Sequence, residues 1–245
     1  VTEIIVRCIV IKVYTIAIKY LAKKDYLKHI ILPLSGQNTC LSRTNTVQSV
    51  LHKFKEKNMK TVGDRLDAFV MTGVKPGQPA DAFFDITEES FKGKWKVIVY
   101  YPKDFTFVCP TEIVAYDRLF QDFEDRDAVL LTGSTDNEFC KVAWQKSHPD
   151  LQKIRHIQFA DTQRWNWNEG KSRGLIEQLG VFYEPAGAAL RATFIVDPDN
   201  VIQHVTVNNL NVGRSPEETL RVLDSLQTGE LCACNRAVGG ETLKV

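Results

Sequence analysis

The chain has 245 residues, 44% apolar and 25% charged, which is ample for one large domain or two small ones and excludes a disordered polymer or a membrane protein. The net charge of +1 hides a division: residues 1–58 carry ten Lys and Arg against three Asp and Glu, and the remainder carries 21 against 27. The larger, acidic part offers no electrostatic footprint for nucleic acid.

The first segment, 1–58, has Arg7, Lys12 and Lys19 breaking its apolar run, so no stretch reaches the roughly 18 uncharged residues of a membrane span. Its charge is spread throughout, unlike a secretory signal. It is basic, poor in acids and rich in β-branched residues. It is read first as a non-native extension, second as an import sequence and third as a surface amphipathic segment.

Residues 59–228 carry the punctuation of an α/β domain. Val97–Tyr101 predicts a buried strand, followed by a loop over Pro102–Val108. From Cys109 onward, Ile113, Tyr116, Phe120 and Phe123 share one face of a predicted helix, and Pro110 fits its first turn, where a missing N–H costs nothing. Ala128–Gly133 predicts a second buried strand, Asn137–Lys146 a helix and Leu175–Leu179 a shorter one. Thr193–Val196 and Val201–Val207 flank an Asp-Pro-Asp-Asn turn as a hairpin. Ser215, Pro216 and Glu218 form a capping box for a last helix, whose core stripe is Leu220, Leu223 and Leu226. Strand, helix, strand, helix, hairpin, helix is the order of a thioredoxin-like α/β fold, a central mixed sheet flanked by helices. Residues 229–245 form a tail too short and polar for a core of its own.

The six cysteines stand at 8, 40, 109, 140, 232 and 234, with no C-x-x-C pair. That absence disfavours a thioredoxin-like disulfide reductase. Cys109 falls where a strand-loop meets a helix N-terminus, a position whose free N–H groups and dipole favour an anion. The dipole contributes about 1 kcal/mol at most, so a reactive thiolate there needs a cation as well. On position alone, a buried inert thiol is the stronger reading.

The surrounding residues reverse that balance. Tyr-Pro-Lys-Asp-Phe-Thr-Phe-Val-Cys-Pro-Thr-Glu (101–112) resembles the peroxidatic loop of the two-cysteine peroxiredoxins of the AhpC/TSA family, with their Pro-x-x-x-Thr-x-x-Cys pattern on Pro102, Thr106 and Cys109. Arg-Ala-Thr-Phe-Ile-Val-Asp (191–197) resembles the segment that carries the family's active-site arginine, here Arg191. The likeness runs from about Met59 to Leu243 and is nearest to the bacterial alkyl hydroperoxide reductases. It leaves 1–58 unmatched.

The resemblance implies a thiol-dependent peroxidase with Cys109 as the attacking thiolate. Thr106 and Arg191 would hold the peroxide oxygens, and Pro102 would shield the site. Glu112 either orients the arginine or is a plain helix-terminal carboxylate. Glu-Leu-Cys (230–232) resembles the resolving segment, which implies an intersubunit disulfide through Cys232 and hence a homodimer, with a ring of dimers as the higher assembly. Cys234 would pass the disulfide to an external reductant: a flavin disulfide reductase, a thioredoxin-type protein or an alkylhydroperoxidase-D-type partner. No metal, haem or flavin is expected, since a zinc site would need two further ligands that the tail lacks. The expected location is the cytoplasm. The rival reading is a holdase-type chaperone on the same fold, for which Pro102, Thr106, Cys109 and Arg191 would be unnecessary.

Four residues are expected to be structural. Cys140 reads as a small core residue, His148 as the end of its helix, His204 as outward-facing or locally paired, and Trp144 as packing. The stretch 162–174 is longer than the family's usual connection, a surface insertion whose two tryptophans could form a contact patch.

Overall fold

The computed structural model describes residues 59–77, 81–162, 165–166, 171–172 and 174–244. The expectations for 1–58, with Cys8 and Cys40, lie outside the described residues.

Seven strands form the central sheet, in the order β11-β10-β3-β4-β5-β1-β2. They are β1 (Val70–Val74), β2 (Phe83–Thr87), β3 (Trp95–Tyr100), β4 (Ala128–Ser134), β5 (Ile157–Ala160), β10 (Arg191–Val196) and β11 (Ile202–Asn208). β3, β4 and β5 run parallel, and the pairs on either side of them are antiparallel. Between β3 and β4 the chain forms α1 (Val108–Arg118) and α2 (Phe120–Glu124), and between β4 and β5 it forms α3 (Glu138–Ser147). Two-residue strands β6 (Trp165–Asn166) and β7 (Lys171–Ser172) pair with each other within the predicted insertion, whose side chains are outside the described set. After α4 (Leu175–Leu179), β8 (Phe182–Tyr183) and β9 (Ala188–Ala189) pair ahead of β10, and α5 (Pro216–Thr228) closes the domain. Among the described residues no helix is long and apolar enough to cross a membrane.

The alternation of β3 divides the core. Val97 and Val99 face Tyr116, Phe123, Leu220 and Leu223 on α1, α2 and α5. Ile98 and Tyr100 face the other way, into a cluster with Leu175, Ile176 and Leu179 of α4. Tyr101 continues the odd series and packs with Cys109, Ile113 and Trp144. The strand that positions the loop and the helix that carries the cysteine therefore share one packed face.

The predicted elements hold with three corrections. The helix from Cys109 breaks at Leu119, so Phe120 leaves the core face; Phe123 alone of the two is buried. Arg155 causes part of this: its Nη2 donates to the Asp117 carbonyl at 2.5 Å, and its guanidinium lies over the Phe120 ring at 5.0 Å. Cys140 is only half-buried, and Lys141 takes the buried position beside it. The capping box is half-formed: Ser215 Oγ accepts from the Glu218 amide at 3.2 Å, but the Glu218 carboxylate turns to Arg221 at 2.6 and 2.8 Å.

The remaining structural readings stand. The hairpin turns on Asn200 at φ 64° and is fixed by Asp197 Oδ1, which accepts from the amides of Asp199 and Val201. His148 caps α3, Trp144 is buried, and His204 shares a 2.7 Å hydrogen bond with Thr206 while burial holds its pKa below the ordinary value.

Candidate active site

Pro102 to Phe107 form the loop after β3, and α1 begins at Val108. Cys109 is thus the second residue of the helix, with Pro110 third, where proline is tolerated. Cys109 is 1% exposed, among Tyr101, Ile113 and Trp144. Thr106 lies in the same loop, and its hydroxyl donates to the Lys103 carbonyl at 3.0 Å.

Strand register delivers the arginine. β10 pairs antiparallel with β3, with Thr193 opposite Val99, so Arg191, two residues earlier, comes level with the start of the loop. Its Nη1 donates to Cys109 Sγ at 3.4 Å and to Glu112 Oε2 at 2.6 Å, and its Nε donates to the Leu210 carbonyl at 2.7 Å. Cys109 and Arg191, 82 residues apart in sequence, are in direct contact.

Glu112 lies one turn beyond Cys109 on α1. Its carboxylate takes Arg191 on one side and, on the other, Arg214 through Nε at 2.9 Å, Nη2 at 3.0 Å and the main-chain amide at 2.9 Å. Arg214 also donates to the Ala192 carbonyl and to Thr193 Oγ1. Of the two readings of Glu112, the arginine-orienting one is what the contacts show. Two guanidiniums share one carboxylate in a buried cluster, which leaves one positive charge unbalanced beside the thiol.

Sequence reasoning passed over Arg214, although a basic residue just before a predicted helix cap was a usable signal. It also passed over the network behind the loop. Asp104 accepts from Tyr101 Oη at 2.9 Å and from Lys141 Nζ at 2.9 and 3.0 Å, and its main-chain amide donates to Asp136 at 2.8 Å. Burial, reinforced by Asp104, raises the Tyr101 pKa well above its ordinary value, so this hydroxyl stays protonated and its proton is committed to Asp104.

Cys232 is placed elsewhere. Its sulfur is 3.7 Å from the Ser225 carbonyl and 3.5 Å from Thr228 Oγ1, at the C-terminal end of α5, while Cys234 is exposed. The tail folds back on that helix: Asp224 accepts from Arg236 Nη1 at 2.6 Å and from the Gly239 amide at 2.9 Å, with Arg126 on its other side at 3.1 Å. The structure brings Pro102, Thr106, Cys109 and Arg191 to one end of the sheet and leaves Cys232 apart from them.

A helix-borne cysteine in contact with a strand-borne arginine, on a thioredoxin-like sheet, is the arrangement of a peroxiredoxin, a thiol-dependent peroxidase. Comparison with known proteins agrees. The AhpC/TSA family profile matches residues 62–205. Alkyl hydroperoxide reductase C of Mycolicibacterium smegmatis is 44% identical over 191 residues, covering 75% of this chain and 93% of that protein. The structure of Mycobacterium tuberculosis AhpC matches with a TM-score of 0.63 and 42% identity, covering 72% of this chain and 98% of the other. That of the reduced 2-Cys peroxiredoxin of Plasmodium vivax matches with a TM-score of 0.66 and 30% identity, covering 76% and 93%. The chain belongs to the AhpC/TSA family.

Proposed function

We propose that Cys109 is the thiolate that attacks hydrogen peroxide and organic hydroperoxides, and that Cys232 of a second copy resolves the product. The observation that carries this reading is the 3.4 Å contact between Arg191 Nη1 and Cys109 Sγ, inside a cluster with one surplus positive charge. The thiolate donates an electron pair to one peroxide oxygen, the O–O bond breaks, and the departing alkoxide takes a proton to leave as alcohol, or as water from hydrogen peroxide. Arg191, with Thr106, stabilises the charge on the oxygens as it develops. Pro102 limits the access of water.

Cys109 is left as a sulfenic acid, which condenses with the Cys232 thiol to release water and form a disulfide. The place of Cys232 favours a bridge between copies. Arg214, next to the start of α5, touches the Cys109 cluster, whereas Cys232 lies at the other end of this 13-residue helix, roughly 20 Å away at 1.5 Å per residue. The homodimer gains support from β11, an edge strand of the sheet, and the ring of dimers from the exposed aromatics Phe83, Phe105, Phe107 and Phe139.

A protein with thiol–disulfide chemistry then returns the two electrons, and it is of the flavin reductase, thioredoxin or alkylhydroperoxidase-D type. Exposed Cys234 suits a relay to it. No cofactor in this chain is needed. A reducing compartment such as the cytoplasm would supply the thiol reductant that this cycle consumes. The relatives named above are peroxide-reducing enzymes by name, which favours catalysis over the holdase reading.

Intact-mass analysis under non-reducing conditions, before and after one equivalent of peroxide, tests this. The parent chain should become a dimer lighter by two hydrogens per bridge, Cys232→Ser should stay monomeric by mass and gain oxygen on Cys109, and Cys109→Ser should not react. Oxidation of Cys109→Ser at the parent rate would refute the assignment.

A further inference from the structure

We propose that Lys141 is a positioning residue for the peroxidase reaction: through Asp104 it holds the Pro102–Thr106 turn in the shape that presents Thr106 and Cys109 to peroxide. The proposal rests on Cys109 being the peroxide-reactive thiol.

Lys141 lies on the core-facing side of α3 with Trp144 and Gln145, a face where a lysine is rare, and it is fully buried. Its three ammonium protons are all spent, on Asp104 Oδ1 at 2.9 Å, Asp104 Oδ2 at 3.0 Å and Ser134 Oγ at 2.7 Å. The Asp104 side chain is 2% exposed. A buried ion pair of this kind is seldom more stabilising than apolar residues of the same volume, so its presence calls for a role other than stability.

The partners indicate which role. Asp104 is the middle residue of the turn between Pro102 and Thr106. Everything that grips it belongs to the scaffold: Tyr101 just after β3, Ser134 at the end of β4, Asp136 after that strand, and Lys141 on α3. The residue after it, Phe105, has a left-handed backbone at φ 56°, which a bulky side chain adopts only when its surroundings enforce it. Thr106 follows, tied back to Lys103. The turn is thus unfavourable by itself and anchored at its centre by one carboxylate, and Lys141 supplies two of the bonds that fix that carboxylate.

The contact that favours the thiolate, from Arg191, does not pass through Lys141. Loss of the anchor should therefore slow reaction with peroxide, which needs Thr106 and the sulfur in register, while leaving the intrinsic reactivity of the thiolate. The test compares two second-order rates on Cys109 in the full chain: oxidation by hydrogen peroxide, and alkylation by iodoacetamide, which needs only the thiolate. Asp104→Asn combined with Lys141→Met removes both charges together, so the net field at the sulfur is kept and no ion is left buried alone. We expect its peroxide rate to fall on the order of 10- to 100-fold, with alkylation within about twofold of the parent.

Ser134→Ala, which removes only the hydroxyl shared by Lys141, Asp104 and Asp136, covers the case in which the double variant does not fold; it should lower the same ratio by about threefold. An unchanged peroxide rate, or an equal fall in both rates, in whichever of the two variants is folded would overturn the role of Lys141. A parent chain in which peroxide leaves Cys109 unoxidised would instead overturn the peroxidatic reading itself.

Discussion

Two buried carboxylates flank Cys109, and they are satisfied in opposite ways. Glu112 is shared by two arginines and leaves a positive charge over, while the Asp104 carboxylate is matched one-to-one by Lys141 and by neutral hydroxyls, with half-buried Asp136 accepting from its main-chain amide. The first cluster is electrostatically incomplete until an anion joins it. The second is closed, with every ammonium proton committed. The difference separates two tasks that one active site must perform: an open cluster generates and stabilises charge, and a closed one fixes geometry. The two grip opposite ends of the Pro102–Glu112 segment, which is how a loop carrying a left-handed phenylalanine is kept in one shape.

Breaking the open cluster should have the largest effect. Arg191→Ala removes a charge-assisted bond worth about 1.5–3 kcal/mol, so the rate of peroxide attack should fall about 10- to 100-fold. Iodoacetamide alkylation should fall with it, unlike the outcome at Lys141, and the ultraviolet absorbance of the thiolate at neutral pH should drop. Parent-level absorbance would mean that the surplus charge is not what favours the anion.

Arg214→Met is a finer test. It balances Glu112 against Arg191 without the sulfur, so thiolate absorbance should fall although no contact to Cys109 is lost; a rate loss of about three- to tenfold is expected.

Asp224 supplies the smallest effect and the sharpest control, since it too is one carboxylate between two arginines, Arg126 and Arg236, but nearer solvent. Burial alone would raise its pKa; the Gly239 amide, Arg236 and Arg126 outweigh that and hold it below the ordinary carboxylate value. A carboxyl depressed on folding contributes stability that is present above its unfolded pKa of about 3.9 and is lost as pH falls through the lower folded value. Asp224→Asn should lower the melting temperature at pH 7 by about 2–4 °C, flatten the decline below pH 4, and leave thiolate absorbance untouched. A change in that absorbance would show that the two arginine clusters are coupled.

Much of this was legible from residue order. β3, β4, α4, the β10–β11 hairpin and α5 announce themselves through unbroken apolar runs, a turn signature and a helix cap, and the family motif supplied Pro102, Thr106, Cys109, Arg191 and Cys232. The missed strands have physical reasons. β1 contains Gly73, where an added Cβ would lie 2.6 Å from the Phe84 ring; β2 is an edge strand with an Asp at its centre; β5 has four residues. Lys141 and Arg214 were missed because a long cation reads as solvated until the carboxylate that draws it inward is known, and those carboxylates lie 37 and 102 residues away. Phe120 was misplaced because periodicity assumes a continuous helix, and Arg155, 35 positions downstream, helps to end it.

The packing of Trp144 gives the Pro102–Phe107 loop its own optical signal. Trp144 is 2% exposed, and its indole lies 5.7 Å from the Phe105 ring and 6.1 Å from Tyr101, so the loop itself covers part of it. If Cys109 bridges to a second copy as proposed, its burial requires the loop to depart, and Phe105 would leave with it and let water reach the indole. Emission then shifts toward the red in step with bridging. The three other tryptophans, Trp95, Trp165 and Trp167, add a background that phenylalanine substitution removes. Rapid-mixing fluorescence can thus time the opening of the loop separately from the attack on peroxide, with no added dye.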